Sequence, residues 1–500
     1  MGEYAIIPRP ASVKYAGGRF LSRGLPRAAG AFGGEARVFE AQLAAAFGEG
    51  AFSGGEAAIR ACEIPAEGAA AAGEFYWLEI LPDGIRLAAA GAAGAFRGFQ
   101  ALRQLFLSGF SGGELSVPCG TVEDWPRYPW RGLMLDCSRT FFPAAFVKKL
   151  LDALSLHHVS VLHWHLTDDQ GWRLPVRGYP LLTEIGSVRY DSRFRRRVGG
   201  FYSEEEIRGI VAYAAERHIE VVPEVDLPGH TSAVLAAYPG LGCAGGPYRV
   251  EDRFGICEDV LCAGNDGIFD LAEAVFDALA GLFPSKFVHI GGDEVVFKHW
   301  QECPKCQRRI AELGLDSAPQ LQSWITSRLA GMLRERGRAA IGWDEILDNA
   351  EKFPLPEDAV VMSWRSSDGG KAAAAMGRRV VMTPLTGGCY LDYRHLDCPD
   401  EIGVWWGSST VAQGLALDPA AGMGEGEAAL VLGGQGNLWT EALYAGKLAE
   451  YMVFPRICAI AEALWTAGAD RDVAEFGRRL AVHRLRLDAL GLQQYRGPLG

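Results

Sequence analysis

Eight short apolar runs punctuate the chain from residue 132 onward, and a stretch with helical spacing follows each of them. The runs fall at 132–136, 159–166, 219–224, 287–290, 339–343, 359–364, 379–383 and 430–433. Between them apolar residues recur at i, i+3, i+4 and i+7, as in Val147, Leu150, Leu151 and Leu154. The set Ile207, Ile210, Val211 and Ala214 does the same behind a Ser203-x-x-Glu206 capping box. Eight such alternations predict an α/β chain whose main part is a (β/α)8 TIM barrel. A doubly wound open sheet is the alternative, but no G-x-G-x-x-G follows a first strand.

The first part of the chain reads differently. It is rich in Gly and Ala, with alternating runs at 75–81 and 84–88 and a helical pattern over 96–106. The Ala/Gly stretches at 41–58 and 68–73 are too apolar to be linkers. The polar, proline-marked segment 123–129 is the natural boundary. The expected organisation is a small accessory α/β domain over 1–125 and a catalytic barrel over 126–500.

A chain of 500 residues with 49% hydrophobic content can bury a large core. Its 61 acidic against 49 basic residues leave a net charge of −12, which disfavours nucleic acid or an anionic membrane as partner. No stretch is apolar enough for stable membrane insertion. The first ten residues lack a basic region followed by an apolar run, so the expectation is a cytoplasmic protein, or a secreted one whose leader is absent from this chain. Eleven scattered cysteines fit reduced thiols better than a disulfide framework.

In a barrel the chemistry gathers at the C-terminal ends of the strands. Those ends carry Asp136-Cys-Ser-Arg139, His163-Trp-His165 with Asp168 and Asp169, Pro223-Glu224-Val-Asp226 with His230, Asp293-Glu294, Trp343-Asp344-Glu345, Ser363-Trp364, Tyr390-Leu-Asp392 and Asn437-Leu-Trp439-Thr-Glu441. Tryptophan recurs at four of the eight. One indole is ordinary core filler, but indoles beside carboxylates and an arginine suit a pyranose, whose C–H face packs on aromatics while its hydroxyls need polar partners. In His289-Ile-Gly-Gly-Asp293-Glu294 two carboxylates adjoin where a strand opens at a glycine pair. Burying an unpaired carboxylate is costly. Neighbours on a strand point to opposite faces, and Gly291 and Gly292 can relax the backbone so that both reach one cleft.

Residues from Leu135 onward resemble the family 20 glycoside hydrolases, the β-N-acetylhexosaminidases. The residues that carry the resemblance are Leu135-Asp-Cys-Ser-Arg139, His163-Trp-His-Leu-Thr-Asp-Asp-Gln-Gly-Trp-Arg173, Pro223-Glu-Val-Asp-Leu-Pro-Gly-His230, His289-Ile-Gly-Gly-Asp-Glu294, Tyr390-Leu-Asp392 and Asn437-Leu-Trp-Thr-Glu441. The resemblance implies an exo-acting, retaining hydrolase that releases terminal β-linked N-acetylglucosamine or N-acetylgalactosamine without metal or cofactor. The 2-acetamido group of the substrate would be the nucleophile, passing through an oxazolinium intermediate. It implies Glu294 as acid/base with a raised pKa, Asp293 as acceptor of the acetamide N–H, and Tyr390 as donor to the acetamide oxygen. Trp343, Trp364 and Trp439 would form the walls, while Arg139, Asp392 and Glu441 would bind hydroxyls. Asp168 and His230 would tune Glu294, although a lone histidine after a strand is usually structural. A disaccharide-releasing relative of the lacto-N-biosidase kind and a catalytically silent carbohydrate-binding barrel are the competing readings.

His163 and His165 share one face of a strand but have no third ligand at metal spacing. Cys303-Pro-Lys-Cys306, taken with Cys257 and Cys262, fits zinc templates poorly, so reduced or loop-stapling thiols are expected. Arg193-Phe-Arg-Arg-Arg197 reads as a solvated loop near the cleft mouth.

Overall fold

A computed structural model describes residues 4–52, 58–65, 73–468 and 471–500. Parts of the two Ala/Gly stretches, 53–57 and 68–72, lie outside the described residues. The expected barrel is present. Its eight strands are Trp130–Asp136, Val161–His165, Glu220–Glu224, Phe287–His289, Ala339–Trp343, Val360–Ser363, Val380–Met382 and Val431–Leu438, all parallel and closed by pairing of the eighth with the first. Each strand overlaps one of the apolar runs, the eighth continuing past its run to Leu438.

Alternate residues of each strand turn inward. Trp130, Val161, Val222, Ile341, Val360, Met362 and Val381 pack together in the interior. Further along the same strands the inward positions turn polar, with His163 and His165 on the second, Glu224 on the third, and Gln435 and Asn437 on the eighth, all buried. Gln435 joins these layers, accepting from Trp130 Nε1 at 3.1 Å, donating to Asn437 Oδ1 at 2.9 Å and lying 3.0 Å from His163 Nδ1. A rigid, hydrogen-bonded floor therefore underlies the C-terminal mouth.

Outside the barrel, helix Glu204–Ala215 buries Ile207, Ile210 and Ala214, and its N-terminus carries the capping box read from Ser203 and Glu206. Before the barrel a mixed sheet runs in the order Ser12–Arg23, Glu114–Asp124, Tyr76–Leu81, Gly84–Ala89, Ile59–Glu63, Ala28–Gly30. Helices Gly33–Phe47 and Ala92–Gly109 cover one face, where Phe39, Leu43, Phe99 and Phe106 meet Tyr76, Leu78 and Leu87. The second helix is buried on its polar side as well. Arg97 reaches His218 O, Arg103 pairs with Asp152 at 2.8 Å, and Gln104 donates to Leu156 O at 2.9 Å, so buried polar groups fix this layer against the barrel. Among the described residues no helix is long and apolar enough to cross a membrane.

Candidate active site

A cavity of about 650 Å³ opens at the C-terminal ends of the barrel strands. Arg139, His230, Asp293, Glu294, Trp343, Trp364, Tyr390, Asp392, Trp439 and Glu441 all line it. Asp168 lies directly behind this wall, 2.9 Å from Arg139 Nη2.

The two adjacent carboxylates reach the cavity through left-handed backbone. The fourth strand stops at His289, and Gly291 and Gly292 follow at φ 67 and 91. Gly292 N–H donates to Asp226 Oδ1 at 3.0 Å, and a Cβ on Gly291 would sit 1.7 Å from that same oxygen. Only glycine fits there. Glu294 itself is at φ 50, a region non-glycine residues seldom occupy. Asp293 is buried, and burial followed by the charge of Asp226 raises its carboxyl well above the usual range.

His230 links these groups to the second strand. Its Nε2 is 3.5 Å from Glu294 Oε2 and 3.7 Å from Asp293 Oδ2, while Nδ1 is 3.2 Å from both Asp168 Oδ1 and Asp169 Oδ2. Burial lowers the imidazole pKa, but the charge of Asp168 and the surrounding carboxylate hydrogen bonds outweigh it and hold His230 well above its usual value. Asp168 is held low because the charges of Arg139 and His230 outweigh its own burial. A chain of polar side chains thus runs from Arg139 through Asp168 and His230 to Glu294.

Glu224 organises the cavity floor, a role that the motif reading did not give it. Its Oε1 accepts from Trp343 Nε1 at 3.0 Å and lies 2.9 Å from His289 Nδ1, and Oε2 lies 2.9 Å from His163 Nε2 and 2.5 Å from His165 Nδ1. Strand periodicity explains this, because His163 and His165 both point inward to one carboxylate. Trp164, between them, points outward. It packs on Tyr202 and Phe283 and donates to Cys137 Sγ, so three of the four strand-end indoles reach the cavity rather than all four.

The remaining walls come from irregular segments. Trp364 Nε1 donates to Glu345 Oε2 at 2.8 Å, and burial together with the charge of Asp293 pushes Glu345 up to about 9. The Arg139 guanidinium lies 4.9 Å over Trp439, whose ring centroid is 5.9 Å from that of Trp343. Tyr390 and Asp392 do not follow the seventh strand directly. Leu391 N–H donates to Asn437 O and Asn437 N–H to Cys389 O, which lays this segment beside the end of the eighth strand. Arg456, fully buried, then donates to the carbonyls of Leu391, Tyr393, Ser409 and Met452 and holds the segment in place. Sequence reasoning missed Phe254, Ile256, Tyr393, Trp405 and Trp406, which also line the cavity. The adjacent Trp405 and Trp406, 73% and 58% exposed, were the available signal. Arg193, from the basic run, reaches the rim and donates to Glu441 O at 2.9 Å.

Three buried carboxylate oxygens on the cavity wall, Asp293 Oδ1, Asp392 Oδ1 and Glu441 Oε2, have no hydrogen-bond partner within the protein. Such acceptors are expensive to bury, and a ligand bearing several N–H and O–H donors would satisfy them. Arg139 Nη2, 3.9 Å from Glu441 Oε1, moderates the negative charge.

Residues 128–468 match the glycosyl hydrolase family 20 catalytic domain, and residues 3–125 match glycosyl hydrolase family 20, domain 2. A beta-hexosaminidase of Porphyromonas gingivalis is 39% identical over 84% of this chain, which spans about half (54%) of that relative's length. A beta-hexosaminidase of Akkermansia muciniphila is 36% identical, with 82% of this chain and 83% of the relative covered. The crystal structure of a GH20 exo beta-N-acetylglucosaminidase from Vibrio harveyi in complex with N-acetylglucosamine superposes with a TM-score of 0.89 at 28% identity, covering 99% of this chain and 79% of that one.

Proposed function

This chain belongs to glycosyl hydrolase family 20, and on that premise we propose that it is an exo-acting β-N-acetylhexosaminidase, releasing terminal β-linked N-acetylglucosamine or N-acetylgalactosamine from glycans with retention. The observation that carries this reading is the convergence of Asp293, Glu294, Tyr390 and three indoles on one cavity whose buried carboxylate oxygens lack partners. A barrel that only bound sugar would have no use for an acid poised beside an amide-orienting carboxylate.

In this scheme the acetamide oxygen of the bound sugar attacks its own anomeric carbon as the glycosidic C–O bond breaks. Glu294 gives its proton to the leaving oxygen. An intramolecular nucleophile of this kind exploits a high effective molarity. Asp293 accepts the acetamide N–H and stabilises the positive charge that develops as the oxazolinium ring closes. Tyr390 donates to the acetamide oxygen, while Trp343, Trp364 and Trp439 exclude competing water. Glu294, now a carboxylate, takes a proton from water, whose oxygen attacks the anomeric carbon and reopens the ring. Arg139, Asp392 and Glu441 bind ring hydroxyls, and charged partners make these hydrogen bonds strong and directional. His230 and Asp168 act through Glu294 as positioning residues.

The test compares an aryl N-acetyl-β-glucosaminide with the corresponding aryl β-glucoside, for wild type and Glu294→Gln. Rapid cleavage of the acetamido substrate alone, abolished in the variant and inhibited by a thiazoline mimic of the cyclised intermediate, is expected. Comparable cleavage of the plain glucoside would overturn acetamide participation.

A further inference from the structure

Outside the carbohydrate cavity, Cys243, Cys262, Cys303 and Cys306 come together from three chain segments, with their sulfur atoms all within 4.8 Å of one another. Cys262 Sγ lies 3.6 Å from Cys306 Sγ and 3.8 Å from Cys303 Sγ, and Cys243 Sγ lies 3.8 Å from Cys306 Sγ. A zinc ion holding four thiolates at about 2.3 Å in a tetrahedron demands sulfur–sulfur edges of about 3.8 Å. The three separations match that edge. Three of the four thiols are buried and Cys243 is half-buried, so the cluster is shielded as a structural metal site requires.

The surrounding backbone is built for thiolates. Cys303 precedes helix Pro304–Leu313 as its N-cap and Cys306 sits in its first turn, where the helix dipole favours negative sulfur. From the other side the Gly264 backbone packs so closely that a Cβ there would lie 2.2 Å from Lys305 C and 2.5 Å from Cys306 N. Gly242 pairs with Leu261 in an antiparallel bridge and Cys262 N–H donates to Leu241 O at 2.8 Å, closing the loop 244–261 at its base. The cluster differs in one member from the set grouped from sequence. Cys257 lies beside Ser232 and Asp169 instead, and the fourth sulfur is Cys243, whose distance along the chain matches no zinc template.

We propose that Cys243, Cys262, Cys303 and Cys306 bind one zinc ion in a closed tetrahedral site that holds the rim of the carbohydrate cavity. Four protein ligands leave no open position, so the ion is structural and takes no part in the glycosidase chemistry. The loop it closes carries Phe254 and Ile256 into the cavity wall, and the helix it caps follows the segment bearing Asp293 and Glu294. Trp300 Nε1 braces the same junction by donating to Leu261 O at 2.8 Å. The zinc assignment is independent of the proposed glycosidase activity, whereas the rim-holding role rests on it.

Full-length protein purified under reducing conditions without chelator is expected to contain about one zinc per chain by elemental mass spectrometry. Cobalt substitution should give the intense sulfur-to-metal charge-transfer absorption of a tetrathiolate site, which a merely reduced thiol cluster would not. Cys243→Ser, at the half-buried ligand, should lose zinc and raise KM for an oligosaccharide several-fold while kcat on a small aryl substrate changes less than about two-fold. Metal below about one ion per ten chains, iron in place of zinc, or a Cys243–Cys306 or Cys262–Cys303 disulfide in a non-reduced peptide map would overturn the site. An unchanged KM in zinc-free Cys243→Ser would overturn the rim-holding role. If the variant fails to fold, zinc content and the cobalt spectrum of the wild type decide the assignment.

Discussion

His230 Nε2 faces Glu294 Oε2 at 3.5 Å, and both residues hold their backbones at φ 50. Each lies in the loop after a different strand, the third and the fourth, and each occupies a conformation that costs about 1–3 kcal/mol for a non-glycine residue. The same pair joins the cavity to the buried charges of Asp168 and Arg139. Strain at two facing residues is tolerated because the packed barrel over-determines both positions.

Replacing His230 tests that link. In His230→Asn the imidazolium charge beside Glu294 is lost while a hydrogen-bonding group stays. We expect kcat to fall by about 10- to 100-fold, the range typical of residues that orient a reacting group, with the basic limb of the pH profile displaced. A purely structural histidine would lower thermal stability and leave the pH profile of the folded fraction unchanged.

Asp293 gives a pH prediction with a definite sign. Burial and Asp226 raise its carboxyl pKa, so the free enzyme carries a proton there over part of the acidic range, when it cannot accept the acetamide N–H. The acidic limb of kcat/KM should therefore rise as pH climbs through that elevated value, and Asp293→Asn should lower kcat/KM and flatten the limb. For stability, ionising a group with a raised folded pKa costs folding energy, beginning above the unfolded pKa of about 3.9 and complete above the folded one. Asp293→Asn should consequently melt higher than wild type at neutral to alkaline pH, with the difference vanishing in acid.

Gly291→Ala isolates the effect of backbone placement. The new Cβ would overlap Asp226 Oδ1 at a positive φ, so the Asp293–Glu294 segment must move. A displacement of about 1 Å at a catalytic group costs on the order of 100-fold in rate, and kcat should fall by at least that much. The barrel should persist, as far-ultraviolet circular dichroism will report.

Arg456 carries the Tyr390–Asp392 segment. Arg456→Met would leave the carbonyls of Leu391, Tyr393, Ser409 and Met452 short of a donor in a dry environment. A loss of roughly 3 kcal/mol in denaturant unfolding is expected, with KM for the acetamido substrate raised as Tyr390 and Asp392 drift. Unaltered kinetics would show that the segment is held by its pairing to Asn437 alone.

Legibility from sequence tracked the range over which each feature is encoded. The strands read from short apolar runs and the Ser203–Glu206 cap depend on neighbours only a few residues away, and both are present. Period-two alternation also contained the correct fate of Trp164, since two inward histidines force the indole between them outward. The three indoles expected as walls, Trp343, Trp364 and Trp439, all line the cavity; only the count of four strand ends bearing tryptophan included one that turns away. Glu224 stood at a strand end in plain sight, yet nothing local indicated that two histidines of the second strand and His289 of the fourth would converge on it.

By itself the sequence determined the barrel and the family motifs, because hydrophobic period, glycine placement and side-chain chemistry are written within a few residues of each other. Tertiary structure alone decided that residues 389–391 lie along Asn437, that Arg456 clamps that segment from a later helix, and that Cys243 rather than Cys257 completes the thiol cluster. Those choices arise when the closed barrel brings distant loops to common ends, and energies of packing and hydrogen bonding between residues far apart along the chain leave no periodic trace in it.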